Sequence, residues 1–189
     1  GQSWFFNNGA VFEIAANPSF NRLDAPFRPN SKMRAPLAPG GYSWNEWSLY
    51  AISDQSRAIS ANVRYLFGGL YNGTQQTVNG SMTFRANYKL RATLGVQRTA
   101  ATLTEPNLAF VNNLLTARVN YSFTTNMFID ALSQYDETSK QFNANVRFNI
   151  IHHPLSDLFI VYNDQRILTP DSPVPGRALI VKFTQMFAF

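Results

Sequence analysis

The chain has 189 residues, enough for one domain and too few to expect two. Hydrophobic residues at 45% exclude a disordered chain, while charged residues at 14% fall well under the quarter or so usual in soluble domains. The absence of cysteine excludes disulfides, zinc–thiolate sites and thiol chemistry. There is no run of about 18 apolar residues to make a transmembrane helix, and the net charge of +5 comes from singly spaced Arg residues rather than a nucleic-acid-binding stripe.

The recurring signal is alternation with period two, the signature of strands whose two faces meet different surroundings. A weak copy spans 4–15 and contains Glu13. The segment 17–41 holds five of the ten prolines and reads as one long loop carrying Arg22, Arg28, Lys32 and Arg34. A second weak copy covers 44–52, with Glu46. In 61–67, Val63, Tyr65 and Phe67 oppose Asn62 and Arg64. In 78–88, Val78, Met82, Phe84 and Tyr88 oppose Asn79, Ser81, Thr83 and Arg85. The stretch 90–99 is weaker and contains Arg91.

In 115–123, Leu115, Val119, Tyr121 and Phe123 oppose Thr116, Arg118, Asn120 and Ser122. Residues 127–135 follow, with Asp130. The clearest case is 141–150, QFNANVRFNI, where Phe142, Val146, Phe148 and Ile150 oppose Gln141, Asn143, Asn145, Arg147 and Asn149. A weak copy at 157–163 and the terminal stretch 178–189, ALIVKFTQMFAF, complete about ten strands. All ten prolines fall outside these spans, as expected of residues that cannot donate to a ladder. Short turns are predicted at 53–56, 88–90, 124–126 and 153–156, and longer connections at 17–41, 72–76, 104–107, 136–140 and 169–176.

Two architectures share this pattern. A soluble barrel turns apolar faces inward; a membrane barrel turns them to lipid and lines its lumen with the polar ones. Four features favour the membrane form. The polar faces carry Asn, Thr, Ser, Gln and single Arg rather than Lys and Glu. Aromatic residues gather toward both strand ends, as in paired interfacial girdles. Strands of about 9–13 residues fit a tilted crossing. Short turns at one end and longer loops at the other match the periplasmic and extracellular sides. The fold class is therefore all-β, an antiparallel up-and-down transmembrane β-barrel formed by residues 1–189 as a single domain.

The terminal stretch resembles the insertion signal of bacterial outer-membrane proteins, carried here by Lys182, Thr184, Phe187 and Phe189, with Thr184 where that signal usually has Gly. Over most of the chain, 42–73 (YSWNEWSLYAISDQSRAISANVRYLFGGLYNG), 119–164 (including SDLFIVYND) and 177–189 (RALIVKFTQMFAF) resemble the C-terminal end of a large bacterial outer-membrane family. Its members pair an N-terminal family-9-like carbohydrate-binding domain with a C-terminal barrel of uncharacterised function. The resemblance implies an outer-membrane location and a barrel larger than ten strands, of which this chain is the C-terminal part. It carries over no catalytic residue.

His152 and His153 are adjacent and point to opposite strand faces, so they do not share a metal ion with Asp157; no metal, cofactor or catalytic set is expected. The candidate functional residues are the polar-face charges: Arg64, Arg85, Arg91, Arg118, Arg147 and Lys182, with Glu13, Glu46 and Asp130 as counter-charges. They either brace the lumen or form a positively biased wall for anionic or sugar-like solutes. Two functions follow, a porin-like transport pore for small solutes and a non-conducting anchor within an outer-membrane complex; a soluble ligand-binding barrel is the third. Expected partners are the lipid bilayer, the assembly machinery during insertion and other envelope proteins, with no nucleic acid.

Overall fold

The alternating stretches form eleven antiparallel strands. A computed structural model describes residues 1–29, 35–105, 107–153, 156–169 and 176–186. The strands are β1 (Gln2–Phe5), β2 (Val11–Leu23), β3 (Gly40–Ile52), β4 (Ile59–Leu70), β5 (Gly73–Arg85), β6 (Leu90–Leu103), β7 (Leu108–Thr124), β8 (Met127–Asp136), β9 (Gln141–His153), β10 (Ser156–Ile167) and β11 (Gly176–Thr184). They follow one another in a single sheet in chain order, β1 through β11. This is the up-and-down meander that the periodicity predicts, with one strand more than expected.

The additional strand comes from the weak copy at 4–15, which is a hairpin. Gly9, at a positive φ of 81°, and Asn8, whose Oδ1 accepts the Ala10 N–H at 3.1 Å, turn β1 into β2. The expected loop 17–41 is also shorter than predicted, because β2 continues to Leu23 and pairs with β3 along its whole length. Pro18 therefore lies inside a strand, opposite Asn45, against the expectation that all prolines sit in connections. The reason is local. β1 pairs with β2 only along Val11–Ile14, so beyond that point one side of β2 has no ladder partner among the described residues. A missing N–H is tolerated on such a side.

Connection lengths also need one correction. The predicted longer connection at 72–76 is a two-residue turn, 71–72, and Gln75 and Gln76 belong to β5. Tyr71 takes a positive φ of 52° there. Its ring is held by Trp44 at 5.2 Å, Tyr42 at 5.5 Å and Phe27 at 6.0 Å, and its hydroxyl accepts from Asn21 Nδ2 at 3.3 Å. These contacts offset the cost of the left-handed conformation. The long segments at this end of the strands are 24–39 and 168–175. Pro154, Leu155, Pro106, Lys32, Arg34 and residues 170–175 lie outside the described residues.

The chain divides into two compact units. The first comprises Gly1–Asp54, Asn62–Gly80 and Gln97–Asn112; the second comprises Gln55–Ala61, Ser81–Val96 and Asn113–Phe189. In the first unit, Leu37 pairs with Phe27 across the 24–39 connection and buries itself against Leu103, flanked by Leu23, Tyr71 and Leu108. In the second, side-chain amide and carboxylate turns close the hairpins. Asn87 Oδ1 accepts from the Lys89 and Leu90 N–H at 2.8 and 3.0 Å, and Asp136 Oδ1 from Thr138 and Ser139 at 2.7 and 3.2 Å.

Burial runs opposite to that of a water-soluble sheet. Among the described residues the buried hydrophobic side chains are Leu37, Ala101 and Leu103. In β5 the polar face is covered and the apolar face is open: Thr77 and Thr83 are buried, while Val78, Met82 and Phe84 are exposed, Met82 at 56%. In β3, Ser48 is 2% exposed beside an exposed Trp47. The polar faces are tied across strands by Thr77 Oγ1 to Thr99 Oγ1 at 3.1 Å and by Thr83 to Thr93 at 3.0 Å.

Gly73 opens β5 where the backbone of β6 passes closest. A Cβ there would collide with the Thr102 carbonyl oxygen and lie 2.7 Å from Leu103 Cα. Backbone atoms cannot step aside as a side-chain tip can. Gly73→Ala is expected to lower stability by about 2 kcal/mol or more in urea titrations of the folded protein, whereas Gly40→Ala, with nothing within 4 Å of its Cβ position, meets no collision and is opposed only by the positive φ of 153°.

Candidate polar-face site

The charges predicted on the polar faces separate into a small number of local arrangements. In the first unit, Glu13, Tyr50 and Arg64 fall in one register row across β2, β3 and β4. Arg64 lies over the Tyr50 ring at 4.6 Å, while Glu13 accepts from Ser3 Oγ at 3.3 Å. Glu46 accepts from Gln75 Nε2 at 2.6 Å. Both glutamates thus have neutral hydrogen-bond donors, and Arg64 has a ring.

In the second unit, the polar face of β7 through β10 is continuous. Arg118, opposite Leu132, and Asn120, opposite Asp130, come from β7; Asp130 lies opposite Arg147 of β9. Arg147 Nη2 is 3.3 Å from Asp130 Oδ2, and Asn120 Nδ2 donates to Asp130 Oδ1. Arg118, Asn120, Asp130, Asn145 and Arg147 line one groove. A neighbouring open groove of about 470 Å³ shares Asn145 and is lined by the amides Gln134, Asn143, Asn163 and Gln165 together with apolar Leu132 and Ala178. Asn145 Nδ2 donates to Asn163 Oδ1 at 2.6 Å, and Gln141 Nε2 to Asn143 Oδ1 at 3.2 Å.

Each amide offers both donors and an acceptor, which suits solutes that carry hydroxyl groups. With two arginines and one aspartate, the adjoining groove keeps one positive charge. The combination can bind hydroxyl-rich or carboxylate-bearing molecules, and nothing in it requires a metal or a cofactor.

The other predicted residues lie elsewhere. Arg85, at the end of β5, donates to the Gln55 carbonyl and, at 3.1 Å, to the Arg57 carbonyl, so it braces the connection between β3 and β4. Arg91 is exposed at the start of β6, and Lys182 is exposed in β11 opposite Phe159. Thr184 ends β11; Phe187 and Phe189 lie outside the described residues. His152 Nε2 is 2.9 Å from Gln185 Oε1, and its ring stacks on Phe183 at 5.2 Å. Among the described residues no group of three or more metal-ligating side chains forms.

Sequence reading missed Gln134, Asn163 and Gln165. In β10 both faces are apolar from Leu158 to Val161 and polar from Asn163 to Arg166, so the strand does not alternate. A search at period two for amides alone would have found the Asn163/Gln165 pair, whereas Gln134 follows Asp130 and Leu132 on its face and has no such signal.

No protein-family model and no curated protein matches the chain. Among solved structures, a KdgM porin in complex with disordered oligogalacturonate is similar, with a TM-score of 0.41 and 11% identity over 95% of this chain and 92% of that one.

The Asp130–Arg147 pair is partly exposed, so its attraction is screened. A double-mutant cycle with Asp130→Asn and Arg147→Gln is expected to give a coupling of about 0.5–1 kcal/mol by urea unfolding of the folded protein. A coupling indistinguishable from zero would remove the pair as a brace of this face.

Proposed function

We propose that the chain forms a membrane-spanning β-barrel of a bacterial outer membrane and that its polar face lines a passage for small solutes, saccharides among them. The observation that carries this reading is the inverted burial: Thr77 and Thr83 are covered while Val78, Met82 and Phe84 on the same strand are open. A water-soluble barrel would hide the apolar set, because burying it is what stabilises such a fold. Lipid removes that requirement.

The single ladder of antiparallel neighbours supports the same reading, since strands that cross a bilayer pair their backbone groups with one another. The amide-lined groove from Gln134 to Gln165 supports hydroxyl-bearing solutes, and the excess of Arg118 and Arg147 over Asp130 supports anions. The family resemblance of the sequence, with its upstream sugar-binding-like domain, points toward saccharides as well.

The test is electrical. Detergent-purified protein added to a planar bilayer is expected to give discrete conductance steps with a preference for anions. The Arg118→Gln/Arg147→Gln variant is expected to lower the anion-to-cation permeability ratio by roughly twofold. Insertion without conductance would overturn the passage and leave a non-conducting anchor; recovery of the protein from the aqueous fraction without detergent would overturn the membrane assignment itself.

A further inference from the structure

The apolar face of β7 through β11 carries its charges in one place. Register puts Leu115, Val119, Ala131, Val146, Phe148 and Ile160 on this face, together with Leu179, Val181 and Phe183 of β11. The charged residues in the same rows are Asp164, Arg166 and Arg177. They cluster at the end of the strands that adjoins the connections 137–140 and 168–175.

The cluster is built rather than incidental. Asp164 is 4% exposed. Its carboxylate accepts from Arg166 Nε at 2.8 and 3.0 Å and from the Tyr162 hydroxyl at 3.2 Å, and it lies 3.7 Å from Arg177 Nε. A half-buried guanidinium, Arg166, and an exposed one, Arg177, therefore share one covered carboxylate, and one positive charge is left over. Tyr135, opposite Phe142, and Phe142, opposite Arg166, set aromatic rings at the same level. Amphipathic rings mark the boundary between hydrocarbon and headgroups. In the first unit, the charge on the apolar face of β2 is also an arginine, Arg22, which is paired with Asp24 at 3.4 Å.

A polar cluster that served only to fill space would find cheaper surroundings on the amide-rich opposite face. A cation at the rim of an apolar face instead meets whatever anion lies at headgroup depth. We infer that Arg177 and Arg166, held in place by Asp164 and Tyr162, bind the phosphate of a lipid headgroup at the rim of this face. Arginine suits the task because its planar fork takes two phosphate oxygens at once. The flanking exposed Leu179 and Val181 (68% and 62%) favour a lipid over an acidic peptide, since acyl chains would cover them. The inference rests on the membrane reading above.

The test uses the full chain reconstituted in phosphatidylcholine vesicles doped with phosphatidic acid, with association of spin-labelled lipids as the readout. Wild type is expected to select phosphatidic acid over phosphatidylcholine by about fivefold. Arg177→Gln, which leaves the Asp164–Arg166 pair intact and so keeps Asp164 partnered, is expected to bring the selectivity near parity. Lys182→Gln, on the opposite face of β11, is expected to leave it unchanged.

Equal selectivity in wild type and Arg177→Gln would overturn the site. Loss of the effect upon adding inorganic phosphate at low concentration would reassign it to a soluble anion. Failure of the protein to float with the vesicles would instead overturn the membrane reading, so the two failures are distinguishable.

Discussion

The backbone ladder is the constraint on which everything else in this chain depends. Consecutive antiparallel strands, each from β2 to β10 paired to the strand before and the strand after it, satisfy most main-chain donors and acceptors through the sheet itself. A soluble sheet needs a second layer to cover its apolar face; among the described residues of this one, Leu37 and Leu103 form the fully buried cluster. With pairing supplied by the ladder, the side chains are free to serve two different surroundings. Period two then delivers them, one residue to each side in turn.

That division explains the local devices. Gly73 allows one backbone to pass close to another, and Tyr71 turns a hairpin in two residues because three aromatic rings hold it. Arg85 fixes a connection by donating to the main-chain carbonyls of Gln55 and Arg57. On the polar side, hydroxyl-to-hydroxyl and amide-to-amide bonds cross from strand to strand. These groups are neutral and can exchange hydrogen-bond partners at little cost.

Most strands were legible because alternation is written residue by residue, as QFNANVRFNI shows for β9. The failures have physical causes. Pro18 reads as a strand breaker, yet an unpaired strand side tolerates it, and which side is unpaired depends on where β1 stops. The 71–72 turn was hidden because Thr74, Gln75 and Gln76 look like loop residues while serving as the polar start of β5. The charges expected to form one network fall into separate local groups. Asp130 meets Arg147, as cross-strand partners must, whereas Glu13 and Glu46 meet a serine and a glutamine. Register decides such pairings, and no single strand contains its own register.

The same limit hid the rim cluster. Asp130–Arg147 and Asp164–Arg166 are the same chemistry, and on sequence they differ only in spacing. One lies across two strands on a face full of amides, where Asn120 can share the carboxylate and neighbours can replace a lost partner. The other lies along one strand on a face of leucine, valine and phenylalanine, where Arg166, Arg177 and Tyr162 supply its polar contacts. A charge on an apolar face is least costly at the interface and most costly at mid-depth. On the proposed membrane reading, position at the strand end is therefore what makes the cluster tolerable, and it sets the depth at which its surplus positive charge is presented.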